Sequence, residues 1–114
     1  MKNPSFTARR LIFVPALLVC PAVALAANFA TCLLDRLPGT ANDVAASAAL
    51  QVCLSAYPGG FTSVEQGAGR GWLNRQTGAE CTLKKAGDTR STKAASLIGA
   101  ACRKLYDEWQ PALQ

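Results

Sequence analysis

Four cysteines constrain this chain more than any other feature. Cys32 and Cys53 stand 21 positions apart, and so do Cys81 and Cys102. The fifth, Cys20, lies in a segment that reads as a cleaved signal. The four that remain, an even number in a short exported chain, read as a framework of two disulfides. A four-cysteine metal centre or a redox pair fits poorly, because no two cysteines stand in a C-x-x-C arrangement. Three connectivities are open. Cys32–Cys53 with Cys81–Cys102 is favoured because each half of the chain then closes its own bridge, although symmetry alone permits all three. A domain of this size buries little core, so each bridge is worth roughly 2–4 kcal/mol.

The equal spacing belongs to a longer pattern. Displacing the chain by 49 residues brings Cys32, Leu34, Thr40, Ala45, Ala46, Ser47, Cys53 and Tyr57 onto Cys81, Leu83, Thr89, Ala94, Ala95, Ser96, Cys102 and Tyr106. Those are 8 identities in 26 ungapped positions, where chance gives about two. Six of the eight pairs are not Ala, and we read the pattern as an internal duplication.

Each repeat predicts a short helix with the first cysteine, a polar turn, and a longer helix with the second. In repeat one (28–57), Asn28 caps a helix over Phe29–Leu37 that Pro38-Gly39 stops. Thr40 is placed to cap the next helix, running to about Tyr57, with Asp43 in its first turn facing the helix dipole. Asp43, Ser47, Gln51 and Ser55 form its wet stripe, opposite Ala46, Ala49, Leu50, Cys53 and Tyr57. In repeat two (77–109), Thr77-Gly78-Ala79-Glu80 is a capping box and Gly87 suits the end of the short helix. Thr89 or Ser91 starts the long helix, whose buried stripe reads Ala95, Ile98, Cys102, Leu105 and Trp109 before Pro111. The expected fold is all-α: a small disulfide-stapled domain of two duplicated helical hairpins, pseudo-twofold in arrangement, joined by a Gly-rich linker over 58–76.

Residues 1–26 read as a cleaved secretory signal peptide, with 27–114 as the mature helical domain. Lys2, Arg9 and Arg10 precede an apolar run, and Ala24-Leu25-Ala26 forms an A-x-A cleavage site. The alternative is a retained anchor. It has Pro15 and Pro21 within 17 apolar-rich residues, at the short end of the roughly 20 needed to span a bilayer. Arg9-Arg10 has the look of a twin-arginine signal, but that route carries folded proteins out of a reducing cytosol, against a disulfide-dependent domain. Cys20 sits in a weak lipoprotein-like box and leaves with the signal. The expected location is therefore periplasmic or extracellular.

Charge also divides along these lines. The whole chain carries +5, which invites a nucleic-acid reading. Three of the 12 basic residues lie in the signal, leaving nine against seven acids, or +2. Residues 27–69 carry Arg36 against Asp35, Asp43 and Glu65, a net −2, whereas 70–104 carry eight Lys and Arg against Glu80 and Asp88, a net +6. Such a half fits an acidic protein or an anionic envelope surface. Nucleic acid is not expected, because export removes it and no aromatic residues interleave with the charges of the second repeat's helices.

Candidate functional residues are few. The chain has no His, which excludes Ser-His and Cys-His catalytic pairs, His-ligated zinc and c-type haem attachment. No metal or cofactor is expected. Thr62-Ser63-Val64-Glu65 is a second capping-box pattern, predicting a helical turn in the linker. Gly67-Ala68-Gly69-Arg70-Gly71-Trp72 reads either as a connector or as a loop whose bare amides approach an anion, with Arg70 and Trp72 as contact groups. Lys84, Lys85 and Arg90 complete the candidate binding set. The expected function is that of a small exported binding, inhibitory or accessory protein of the cell envelope, not an enzyme. The alternatives are a carboxylate-dependent hydrolase using Glu65, Glu80 or Asp88, or a membrane-anchored structural component with an uncleaved N-terminal helix.

Overall fold

A computed structural model describes residues 12, 15, 27–71, 73 and 75–108. The expected signal peptide thus lies almost wholly outside the described residues, as do Trp72 and Trp109. Within the described residues the chain is all-helical. The order is α1 (Phe29–Arg36), α2 (Asp43–Ala56), a 3-10 turn (Gly60–Ser63), α3 (Gly78–Ala86) and α4 (Thr92–Tyr106).

Local side chains start each helix. Asn28 accepts from the Thr31 amide at 3.0 Å while Thr31 Oγ1 accepts from the Asn28 amide at 2.8 Å, so two otherwise orphaned donors are satisfied reciprocally. The expected box of α3 forms in the same way between Thr77 and Glu80. Ser91, the second of the two predicted starts, caps α4 by accepting from the Ala94 amide at 3.0 Å. Thr40 does not cap α2. Asn42 does so, accepting from the Ala45 amide at 2.9 Å, and the Thr40 hydroxyl donates back to the Leu37 carbonyl. Asn42 is the residue 49 positions before Ser91, and Asn28 stands at the same offset from Thr77. The starts of all four helices therefore obey the sequence repeat.

The bridges are Cys32–Cys53, with Cα atoms 5.8 Å apart, and Cys81–Cys102, at 5.6 Å. Each staples a short helix to the long helix that follows. Phe29, Leu33, Leu34, Leu37, Ala46, Val64, Ala94, Ile98, Ala101 and Leu105 close the core around them. The 3-10 turn joins it through Phe61, whose ring meets Phe29 edge-on at 4.8 Å. That turn lies one step before the predicted linker box. Thr62 Oγ1 donates to the Gly59 carbonyl and Ser63 Oγ to the Gly60 carbonyl, so both hydroxyls close back on the turn that precedes them.

The two repeats are not packed equivalently. Helix α4 lies at the centre, against α3, α1 and α2, while α2 and α3 make at most slight contact. Burial follows that asymmetry. In α4 the buried set is Ala94, Ile98, Gly99, Ala101, Cys102 and Leu105, so Ala94 takes the place expected of Ala95 and Ala101 joins the stripe. In α2 only Ala46 and Cys53 are fully buried. Ala49, Leu50 and Tyr57 pack partly against the core, as the stripe predicted. Ser47, expected in the wet stripe, is half-buried beneath Lys93. A pseudo-twofold domain is thus repeated in its local structure and broken in its packing.

Candidate functional site

Two polar junctions fasten the two ends of α4. At the first, the start of α2 meets the start of α4. Ser91, only 2% exposed, donates its hydroxyl to Asp43 Oδ1 at 2.6 Å, and the Lys93 amide donates to the same oxygen at 3.2 Å. Asp43 occupies the first turn of α2 and also accepts from one N-terminal amide of α4, that of Lys93, so one carboxylate answers two helix dipoles. The Ser91 hydroxyl, then the Lys93 amide, hold its carboxyl below the usual aspartate value. Lys93 Nζ donates to Ser47 Oγ at 2.7 Å.

A serine beneath a lysine amine is one way to build a nucleophile. That use requires a desolvated amine and a space for substrate. Neither Ser47 nor Lys93 lines any of the three depressions described below. The pair fastens α4 to α2.

At the second junction, the Gly-rich loop closes over the end of α4. The amides of Gly67 and Gly69 donate to the carbonyls of Lys104 and Leu105, at 2.8 and 2.9 Å. Gln66 Nε2 donates to the carbonyls of Arg103 and Asp107, both at 2.8 Å. The Lys104 and Leu105 carbonyls are among those that a helix end leaves without intrahelical partners, whereas the Arg103 carbonyl also accepts from the Asp107 amide. Gly67 adopts φ +82°, a left-handed conformation that glycine takes without strain. A Cβ on Gly69 would fall 2.8 Å from Tyr106 Cε1 and 3.0 Å from Leu105 Cβ. The loop's amides at 67 and 69 are therefore not bare, and its glycines serve close approach to α4 rather than to an anion. Asp107, just past α4, turns its carboxylate onto the Gly78 amide at 2.7 Å and so caps α3.

The candidate contact groups fall in two places. Arg70, at the loop end, pairs with Glu108 at 3.1 Å, and this pair is solvent-exposed. It lies with Arg75, Gln76 and Thr77 around a depression of about 350 Å³. Lys84 and Lys85 share the last turn of α3, with Lys84 exposed and Lys85 half-buried. Lys85 borders a depression of about 280 Å³ with Leu34, Asp35 and Tyr106. Arg90 lies in the following turn, exposed in its side chain and tied by its amide to the Thr40 carbonyl. Among the described residues, Lys84, Lys85 and Arg90 make no ion pair. A third depression of about 390 Å³ lies between α1 and the end of α2, by Cys32, Arg36 and Tyr57.

Glu65, Glu80 and Asp88 are exposed and border none of the three depressions. Glu80 is engaged in its capping box. Among the described residues, no group of His, Cys, Asp and Glu is placed to hold a metal ion, and no helix is long and apolar enough to cross a membrane. Sequence reasoning missed the Asp43–Ser91–Lys93 junction and Gln66. The first had a signal, an acid in a helix start next to an unassigned cap; the second has no local signature. No known protein family, curated protein or solved structure matches the chain.

Proposed function

We propose that this is a small exported binding or accessory protein of the cell envelope, which docks through its basic second repeat onto an anionic envelope surface. The observation that carries the reading is the cluster of Lys84, Lys85 and Arg90 at the α3 end and the α3–α4 turn, which make no ion pair among the described residues. Three of the acids, Asp43, Glu80 and Asp107, are by contrast engaged in caps and junctions. Two internal disulfides favour an oxidising compartment. The Lys2-Arg9-Arg10 start and the Ala24-Leu25-Ala26 site supply a route to it.

Flotation with phosphatidylglycerol vesicles tests this. The oxidised exported protein should float with anionic vesicles at low salt, ignore neutral ones, and be released between about 0.15 and about 1 M salt as screening shortens. Charge reversal at Lys84, Lys85 and Arg90 together should abolish flotation. Equal retention of that triple variant would overturn the proposal.

A further inference from the structure

The broken symmetry leaves two apolar surfaces whose repeat counterparts are buried. On α4, Ala94 and Ala101 are 0% exposed and Leu105 is 1% exposed, an arc set to one side of the disulfide-bearing face. Repeat one covers it, since both α1 and α2 pack on α4. The residues 49 positions earlier on α2 are Ala45, Val52 and Ala56, and all three are exposed. Val52 is 46% exposed and Val44, beside it, is 80% exposed. On α1, Ala30, Leu34 and Leu37 are buried, and α1 is the short helix that packs on α4. Their counterparts on α3 are Ala79, Leu83 and Ala86. Ala79 is exposed, Ala86 half-buried and Leu83 80% exposed, against 7% for Leu34.

One packing relation explains both surfaces. The short helix of repeat one covers the long helix of repeat two, but the reciprocal contact, α3 on α2, is at most slight within the chain. We propose that a second copy of this chain supplies it, with α3 of each copy laid on α2 of the other. The internal α1–α4 contact shows what fits such a face: a short helix presenting Ala, Leu and a third small or apolar residue at the positions that α3 repeats. The reciprocal use of two patches gives a closed twofold dimer with two identical contacts. Charge leans the same way, since repeat one (28–57) carries a net −1 and repeat two (77–109) a net +2. Exposed valine and leucine side chains at matched positions then have a reason to be apolar.

The geometry yields a complementation test by analytical ultracentrifugation of the oxidised protein. The wild type should be dimeric at up to about 0.1 mM. Val52→Glu and Leu83→Lys each damage both contacts of a homodimer, and each should weaken association at least about tenfold. An equimolar mixture should restore a dimer. In it, one contact sets Glu against Lys and the other is wholly native. Both sites are exposed, so helical content and both disulfides should persist in each variant. A monomeric wild type, a dimer indifferent to both substitutions, or a mixture that stays monomeric would each overturn the proposal. Leu83→Lys adds a cation rather than removing one, so vesicle flotation and dimerisation fail independently.

Discussion

Thr89 donates its hydroxyl to the carbonyl of Thr40 at 2.8 Å, joining two residues that occupy the same position of the two repeats. The turns around them match: the Thr40 amide donates to Leu37 at 3.1 Å and the Thr89 amide to Ala86 at 3.2 Å. The hydroxyls do not match, because that of Thr40 folds back on Leu37 while that of Thr89 crosses to the other repeat. The Thr40 carbonyl also accepts from the Arg90 amide, and Thr89 Oγ1 accepts from the Ser91 amide.

Thr89→Val therefore removes a link between repeats, and Thr40→Val removes only a local one. Net hydrogen-bond contributions of about 1 kcal/mol each give the expected scale. Urea unfolding under oxidising conditions should show Thr89→Val costing about 1–2 kcal/mol and Thr40→Val less. The reverse order would mean that the crossing bond contributes little to holding the repeats together.

Asp43 should make stability pH-dependent. Its folded-state pKa is depressed by the Ser91 hydroxyl and the Lys93 amide, so the ionised form is favoured by folding. That contribution is fully present above the unfolded aspartate value of about 3.9 and is lost as pH falls through the lower folded value. Asp43→Asn should be less stable than wild type at neutral pH, and the difference should shrink below about pH 4. Parallel denaturation curves at both pH values provide the check; a difference independent of pH would remove the ionised carboxylate from the junction.

Local features were legible in the sequence, and long-range ones were not. The roles of Asn28, Thr77 and Glu80 follow from residues a few positions apart, while the repeat favours the two cysteine pairings without deciding among the three connectivities. Thr40 misled because three of the residues from 40 to 43 can cap a helix, and the choice depends on where the Thr40 hydroxyl finds a carbonyl. The anchoring of the loop joins Gln66 to carbonyls 37 and 41 positions away, which no local pattern encodes. Nor do equal repeat positions imply equal burial, as Leu34 and Leu83 show. Which long helix becomes central depends on side chains between the repeats and on the loop that holds α4.

Burial orders the reduction of the disulfides. Cys53, Cys81 and Cys102 are each 0% exposed, whereas Cys32 is only half-buried and borders the depression between α1 and the end of α2. A thiolate must reach a sulfur to exchange with it. Under limiting reductant, alkylation and peptide mapping should find Cys32 and Cys53 labelled before Cys81 and Cys102. Removing either pair by paired Cys→Ala substitution should cost roughly 2–4 kcal/mol.

The loop over α4 makes one glycine essential and another not. At Gly69 a Cβ would meet Tyr106 and Leu105, both in the last turn of α4, and the amide at this position donates to Leu105. Alanine there forces either the ring or the loop to move, and overpacking of this kind costs about 1–3 kcal/mol. At Gly71 a Cβ would have no neighbour within 4 Å. Gly71→Ala should leave the unfolding midpoint near that of wild type. Gly69→Ala should lower it and speed amide exchange in the last turn of α4, because the same amides hold those carbonyls. Gln66→Ala should reproduce the local exchange effect without the steric one, by removing the side-chain amide that bridges the Arg103 and Asp107 carbonyls. Equal behaviour of the two glycine variants would show that the loop does not bear on α4 in solution.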